Sequence, residues 1–250
     1  PVGLEAPFVV VAAATAILVG FALRVDVDES SEAVTKRFAL DLLGDRTVAG
    51  AVILGAAAFL MIGAFDALWD VVHEDLGTTT WMANLGIALF AIPLIILGPT
   101  GGKLAQRVGP FRVGSAGIFV ACGFMTAYGL LPTGTWIFSV AMVHAVTDGL
   151  TIAASGVAIG MTVPEARQAG AQGVMGAAQA LVAGITAIII GGLYDQFGRA
   201  AAYIASAVGM FLFVVTALAL AAPTWRGRRY RAPVAHVAAP AFGALGDDEI

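Results

Sequence analysis

The length of its apolar runs confines this chain more than any other feature. Seven stretches of 18 to 27 residues carry few charges: about Ala6 to Leu23, Thr47 to Val72, Thr79 to Pro99, Val113 to Leu131, Thr135 to Met161, Gln172 to Tyr194 and Ala200 to Ala222. A helix needs about 20 such residues to cross the hydrocarbon core of a bilayer. The composition agrees, at 59% hydrophobic and 12% charged, because so few charges cannot coat a soluble domain of this length. The expected fold is an all-α polytopic membrane protein whose first partner is the lipid bilayer. Cys122 is the single cysteine and the three histidines are scattered, so no disulfide framework or metal signature is present in the sequence. Neither a metal, a cofactor nor a nucleic-acid partner is expected.

Short links between most segments force neighbouring helices to run antiparallel. Alternate loops then divide the cations twelve to one. Arg24, Lys36, Arg37, Arg46, Lys103, Arg107, Arg112, Arg167, Arg226, Arg228, Arg229 and Arg231 fall on one side, and Arg199 falls alone on the other. The positive-inside rule places the C-terminus in the cytoplasm of a multi-pass cell-membrane (inner-membrane) protein. Seven spans place Pro1 outside, yet the first segment has no basic flank or cleavage site to direct it there. The expectation is the C-terminal part of a longer chain, the alternative being a complete seven-helix protein. Residues 1–23 would then be a helix of a preceding half and 24–46 a cytoplasmic linker. Residues 47–222 would form a six-helix bundle and 223–250 a cytoplasmic tail. Within the linker, Val34, Phe38 and Leu42 recur every fourth residue, which suits either a surface amphipathic helix or a plain solvated loop.

Between the third and fourth segments lies Leu97-Gly-Pro-Thr-Gly-Gly-Lys-Leu-Ala-Gln-Arg-Val-Gly-Pro-Phe-Arg-Val-Gly114. It is not a phosphate loop. Only three residues separate Gly98 from Gly102-Lys103, and Leu104 stands where a magnesium-binding hydroxyl belongs. It does have a twin. Gly102-x-Leu104-x-Gln106-x-x-Gly109 matches Gly191-x-Leu193-x-Asp195-x-x-Gly198, which joins segments six and seven. Segments two to seven thus form two triplets with the same connection at the same place. Three helices per unit is odd, so the copies lie on opposite membrane faces, as in inverted-repeat transporters.

The match at Gly102, Leu104, Ala105, Arg107 and Gly109 resembles the cytoplasmic loop signature of the major facilitator superfamily, G-x-L-A-D-R-x-G. Gln106 replaces the acid of that signature, and Pro110-Phe111 replaces its basic pair. Gly3-Leu-Glu-Ala-Pro-Phe8 similarly resembles the entry to the sixth helix of the family. The resemblance implies helices six to twelve: a half bundle of six helices in a 3+3 inverted repeat, preceded by one further transmembrane helix. It implies a missing N-terminal half as partner and a gating loop at Gly102, Leu104, Arg107 and Gly109. A purely topogenic basic turn is the other reading of that loop.

Ionisable groups inside spans are costly and commonly face a pathway. They gather on the first helix of each triplet, Asp66 and Asp70 on segment two and His144 and Asp148 on segment five. Each pair is four apart and shares a helix face. His144 lies roughly 6 Å and Asp66 roughly 9 Å outward of midspan, at about 1.5 Å per residue. All three are expected to look into one cavity, with Asp66 and Asp148 as proton or cation carboxylates and His144 tuning the latter. The alternative is polar glue between helices. Asp70 is expected to be wet near the outer interface, beside Trp69 in an aromatic belt. Asn84, Gln172 and Gln179 are weaker candidates for substrate contact. Gly173, Gly176, Gly184 and Gly191 are expected to permit close helix packing, and Pro93 to kink segment three. The function expected is secondary active transport of a small organic molecule, proton-coupled, with efflux one direction. An intramembrane aspartyl hydrolase built around Tyr194-Asp195 and a non-transporting helical scaffold are the alternatives.

Overall fold

A computed structural model describes residues 6–24 and 39–222 of the chain. Among these residues the protein is helical, and no strand is present. Helix α1, Ala6–Ala22, belongs to a unit of its own. Its 17 residues stand at the lower end of the range that spans a bilayer. Val34, Phe38, the Gly3–Glu5 part of the entry motif and the tail from residue 223 lie outside the described residues.

The second unit opens with a 3-10 helix, Ala39–Gly44. Leu42 packs against the core, and Asp41 receives two hydrogen bonds from the Arg167 guanidinium at 2.7 and 2.9 Å. The pair is part-exposed, so it positions this segment more than it stabilises the bundle. Asp45 caps the next helix by accepting from the amides of Thr47 and Val48 at 2.7 and 3.1 Å, which satisfies two of its orphaned N–H groups. That helix, α2, runs Arg46–Asp75 and is the central post of the bundle, with most of its residues buried. The others are α3 Thr80–Val108, α4 Pro110–Leu130, α5 Gly134–Thr151, α6 Ala154–Thr162 and α7 Glu165–Leu220.

The two triplets are visible in the packing. Helix α2 leads the first and packs on α7, which belongs to the second; α5 leads the second and packs on α3 of the first. Both crossings are close because a glycine sits at each. A Cβ on Gly63 of α2 would meet the backbone of Ala183, and one on Gly149 of α5 would lie 2.6 Å from the carbonyl of Pro93. Small residues at such crossings let backbones approach where lipid supplies no hydrophobic drive. The expected glycines of segment six are not the ones used. Gly173, Gly176, Gly184 and Gly191 have open space where a Cβ would be. Outward faces are apolar instead of polar, as with Ile95, Ile96, Leu181 and Ile188.

Three boundaries differ from the sequence reading. Helix α3 continues through Pro93 and Pro99 to Val108, so Gly102, Leu104 and Arg107 are helical and not a loop. Only Gly109 breaks the helix, at φ 112° and ψ 125°, and Pro110 starts α4 at the position that needs no N–H. Its twin behaves alike, since α7 runs through residues 191–197 and bends at Gly198, at φ 80° and ψ 179°. Both are glycine conformations, closed to residues with a Cβ. The last glycine of each motif copy is therefore the turn. Segment five is interrupted between α5 and α6 at Ile152 and Ala153.

Candidate functional site

Four polar residues of the second unit lie along one strip. His144, Asp148, Thr151 and Ser155 follow one another at steps of four, three and four, which is one face of the α5–α6 path. That face is turned into the seam between α2 and α4. His144 is fully buried and Asp148 is 4% exposed. Their facing atoms, Nε2 and Oδ1, stand 3.4 Å apart, too long and poorly aimed to count as a hydrogen bond. The other carboxylate oxygen, Oδ2, is buried with no protein partner. Asp148 borders a cavity of about 10 Å³, lined also by Met61, Ile118, Thr151 and Ser155, which is at the lower limit for one water molecule.

Around the imidazole the surroundings are aromatic. The Phe124 ring stacks on it with centroids 4.6 Å apart, and Phe90 meets it edge-on at 5.8 Å. Tyr128 Oη lies 2.9 Å from Nδ1, with Tyr203 behind it at 5.6 Å between ring centroids. An ionised Asp148 with one bare oxygen in such a place is expensive. A carboxylate in such a place persists only when protonated, hydrated or paired.

Asp66 does not join this site. It is exposed, as is Asp70. Met61, which lines the Asp148 cavity, is about 140° around α2 from Asp66 and about 180° from Asp70, at about 100° per residue. The expected convergence of Asp66, His144 and Asp148 on one cavity is thus corrected: α2 itself separates the two acids. Trp69, expected beside Asp70 in an aromatic belt, is not an interfacial residue. It is 1% exposed, donates its indole N–H to the carbonyl of Ala83 at 2.8 Å and leads an aromatic group with Phe65 and His73. It is core.

The weaker candidates divide. Asn84 is exposed. Gln172 donates to the carbonyl of Gly156 at 3.3 Å, and Gln168 donates to that of Gly160 at 3.0 Å. These glutamines tie α7 to α6. Gln179 is half-buried, with its amide nitrogen beside Gly55. Arg107 is exposed in the last turn of α3, where a cation complements the helix dipole. Arg199 donates to the carbonyl of Leu131 beyond the end of α4.

Ser155 was legible in principle, because it continues the spacing of His144 and Asp148. Tyr128, Phe124 and Phe90 were not, since nothing in an apolar run marks which aromatic faces a histidine on another helix. His73 was missed as well: it is buried against Trp69 with neither ring nitrogen hydrogen-bonded.

The sequence profile described as Major Facilitator Superfamily matches residues 51–246. That range begins inside α2 and takes in every later described helix, leaving residues 1–50 and 247–250 outside the match. No curated protein matches the chain. With well over half of its length covered, and with a helical bundle of two interlocked triplets, the chain belongs to the major facilitator superfamily of transporters.

Proposed function

We propose that the protein is a proton-coupled secondary transporter of a small organic molecule, with Asp148 as the residue that takes up and releases the proton. One observation carries this reading: Asp148 is buried at midspan with Oδ2 unpartnered, and the residue borders a water-sized cavity. His144 tunes that carboxylate. Asp66 has a different part. A midspan acid exposed on an otherwise buried helix belongs against water or another protein surface, not lipid, so it faces a space completed by a preceding six-helix half. Substrate would meet Asp66 there, while the proton is held inside the bundle. The C-terminus is cytoplasmic on the strength of the twelve-to-one division of cations.

An aspartyl hydrolase needs two carboxylates facing one water. The neighbour of Asp148 is His144, and Asp195 is exposed on α7, so the observations favour transport. The experiment is accumulation by the full-length protein in proteoliposomes under an imposed pH gradient, with a substrate found by thermal-shift screening of small organic compounds. Asp148→Asn should lose gradient-driven accumulation and keep substrate exchange. Asp66→Asn should be milder and weaken substrate binding, and Asp70→Asn should be close to neutral. Full accumulation by well-expressed Asp148→Asn would remove this residue from the mechanism.

A further inference from the structure

We propose that Tyr128 is a positioning residue that locks His144 in the Nε2–H tautomer and so keeps a donor turned toward Asp148. The deduction is one of counting partners. Tyr128 is fully buried on α4, and His144 Nδ1, at 2.9 Å, is the only hydrogen-bond partner of its hydroxyl among the described residues. The rings packed on the imidazole, Phe90 and Phe124, offer neither a donor nor an acceptor. Two neutral tautomers are possible.

If Nε2 carries the hydrogen, Nδ1 is a lone pair. The phenol then donates to it, and the N–H stands on the side of the Asp148 carboxylate, whose Oδ1 is 3.4 Å from Nε2 and outside hydrogen-bond geometry. The phenol proton has an acceptor, and the N–H has a negative group near it. If Nδ1 carries the hydrogen, it donates to the phenol oxygen and the phenol proton is left without an acceptor. The Nε2 lone pair then faces carboxylate oxygens, which repel it unless Asp148 is protonated. A buried O–H left unmade shifts such a ratio by about tenfold or more. The hydroxyl of Tyr128, on a different helix from the acid, therefore decides what Asp148 meets. Phe124 stacked at 23° and Phe90 at 89° hold the ring so that the choice is not undone by rotation.

The mechanistic value of this lock rests on the reading of Asp148 as the proton site. A fixed N–H opposite the carboxylate supports the ionised form and hands the proton back each cycle. A ring free to present its lone pair would retain it.

The test is nitrogen NMR of the purified full-length protein labelled with ¹⁵N-histidine. Among the histidine signals, which include those of His73 and His236, the His144 signals are those lost in His144→Gln. In the wild type the His144 spectrum should show the Nε2–H form in about tenfold excess or more. In Tyr128→Phe, which keeps the ring and removes the hydroxyl, the two tautomers should come within a few-fold of each other. In Asp148→Asn the Nε2–H form should persist, because the phenol and not the acid selects it. A wild-type Nδ1–H form overturns the proposal without any variant. So does a tautomer that survives Tyr128→Phe, or one that collapses only in Asp148→Asn. These spectra need no transport, so a failure of proton coupling would leave the tautomer result standing, and the reverse also holds.

Discussion

Substituting the two glycines of one motif copy should change stability in opposite directions. Gly102 and Gly109 are equivalent in the sequence signature, but they occupy different backbone states. Gly102 is helical within α3, with open space where an alanine methyl would stand, whereas Gly109 sits at φ 112° and ψ 125°. Alanine in a helix is favoured over glycine by about 0.5–1 kcal/mol, so Gly102→Ala should stabilise by that amount. Alanine at Gly109 must hold a conformation that costs about 1–3 kcal/mol. The two ends of the motif should therefore differ by about 1.5–4 kcal/mol. The second copy repeats the experiment independently, with Gly191→Ala gaining and Gly198→Ala, at φ 80°, losing. Reversible unfolding in mixed micelles measures all four variants against the wild type. A cost at Gly102 equal to that at Gly109, or Gly109→Ala within about 0.5 kcal/mol of wild type, would refute the single-residue turn.

Trp69→Ala should cost about 3 kcal/mol by the same assay, the low end for a buried tryptophan, because lipid already solvates the ring that water would not. Trp81→Ala, at a half-exposed ring, should stay within about 0.5 kcal/mol; equal effects would return Trp69 to the interface. With Cys122 replaced, a cysteine at position 106 should react with an impermeant maleimide only after the cells are opened, and rapid labelling from outside would invert the topology. Gln168→Leu and Gln172→Leu should each cost about 0.6 kcal/mol, as expected of a hydrogen bond between membrane helices, and clear stabilisation in both would mean that they do not join α6 to α7.

The broad plan was legible because lipid leaves a strong imprint on a sequence. Backbone polar groups must be satisfied within each span, so long apolar runs translate almost directly into α2 to α7. The repeat was legible in its glycines, and it was misread in one respect. A Gly-rich, Pro-containing stretch looks like a loop, but within a bundle the helix continues through Pro93 and Pro99 and only the terminal Gly109 turns. Of the site, the His144–Asp148 spacing was readable from one helix. Where that face pointed was not, because rotation of a helix in a bundle is set by side chains on its neighbours. Asp66 illustrates this: its depth was correct to seek from the sequence, yet Met61 and Phe65 take the inner face of α2 and turn Asp66 outward. Trp69 beside an acid near a helix end imitates an interfacial residue, and only the Ala83 carbonyl on α3 shows why it is buried.

The central claim is that Asp148 exchanges a proton inside the bundle, and infrared difference spectroscopy tests it without a known substrate. The full-length protein is titrated in lipid, and the carboxylic-acid C=O stretch of buried acids is followed as pH is raised. The wild type should lose a band that Asp148→Asn lacks throughout, while Asp66→Asn should retain it. The same band in Asp148→Asn, unchanged in position and amplitude, would contradict the assignment of the proton to Asp148.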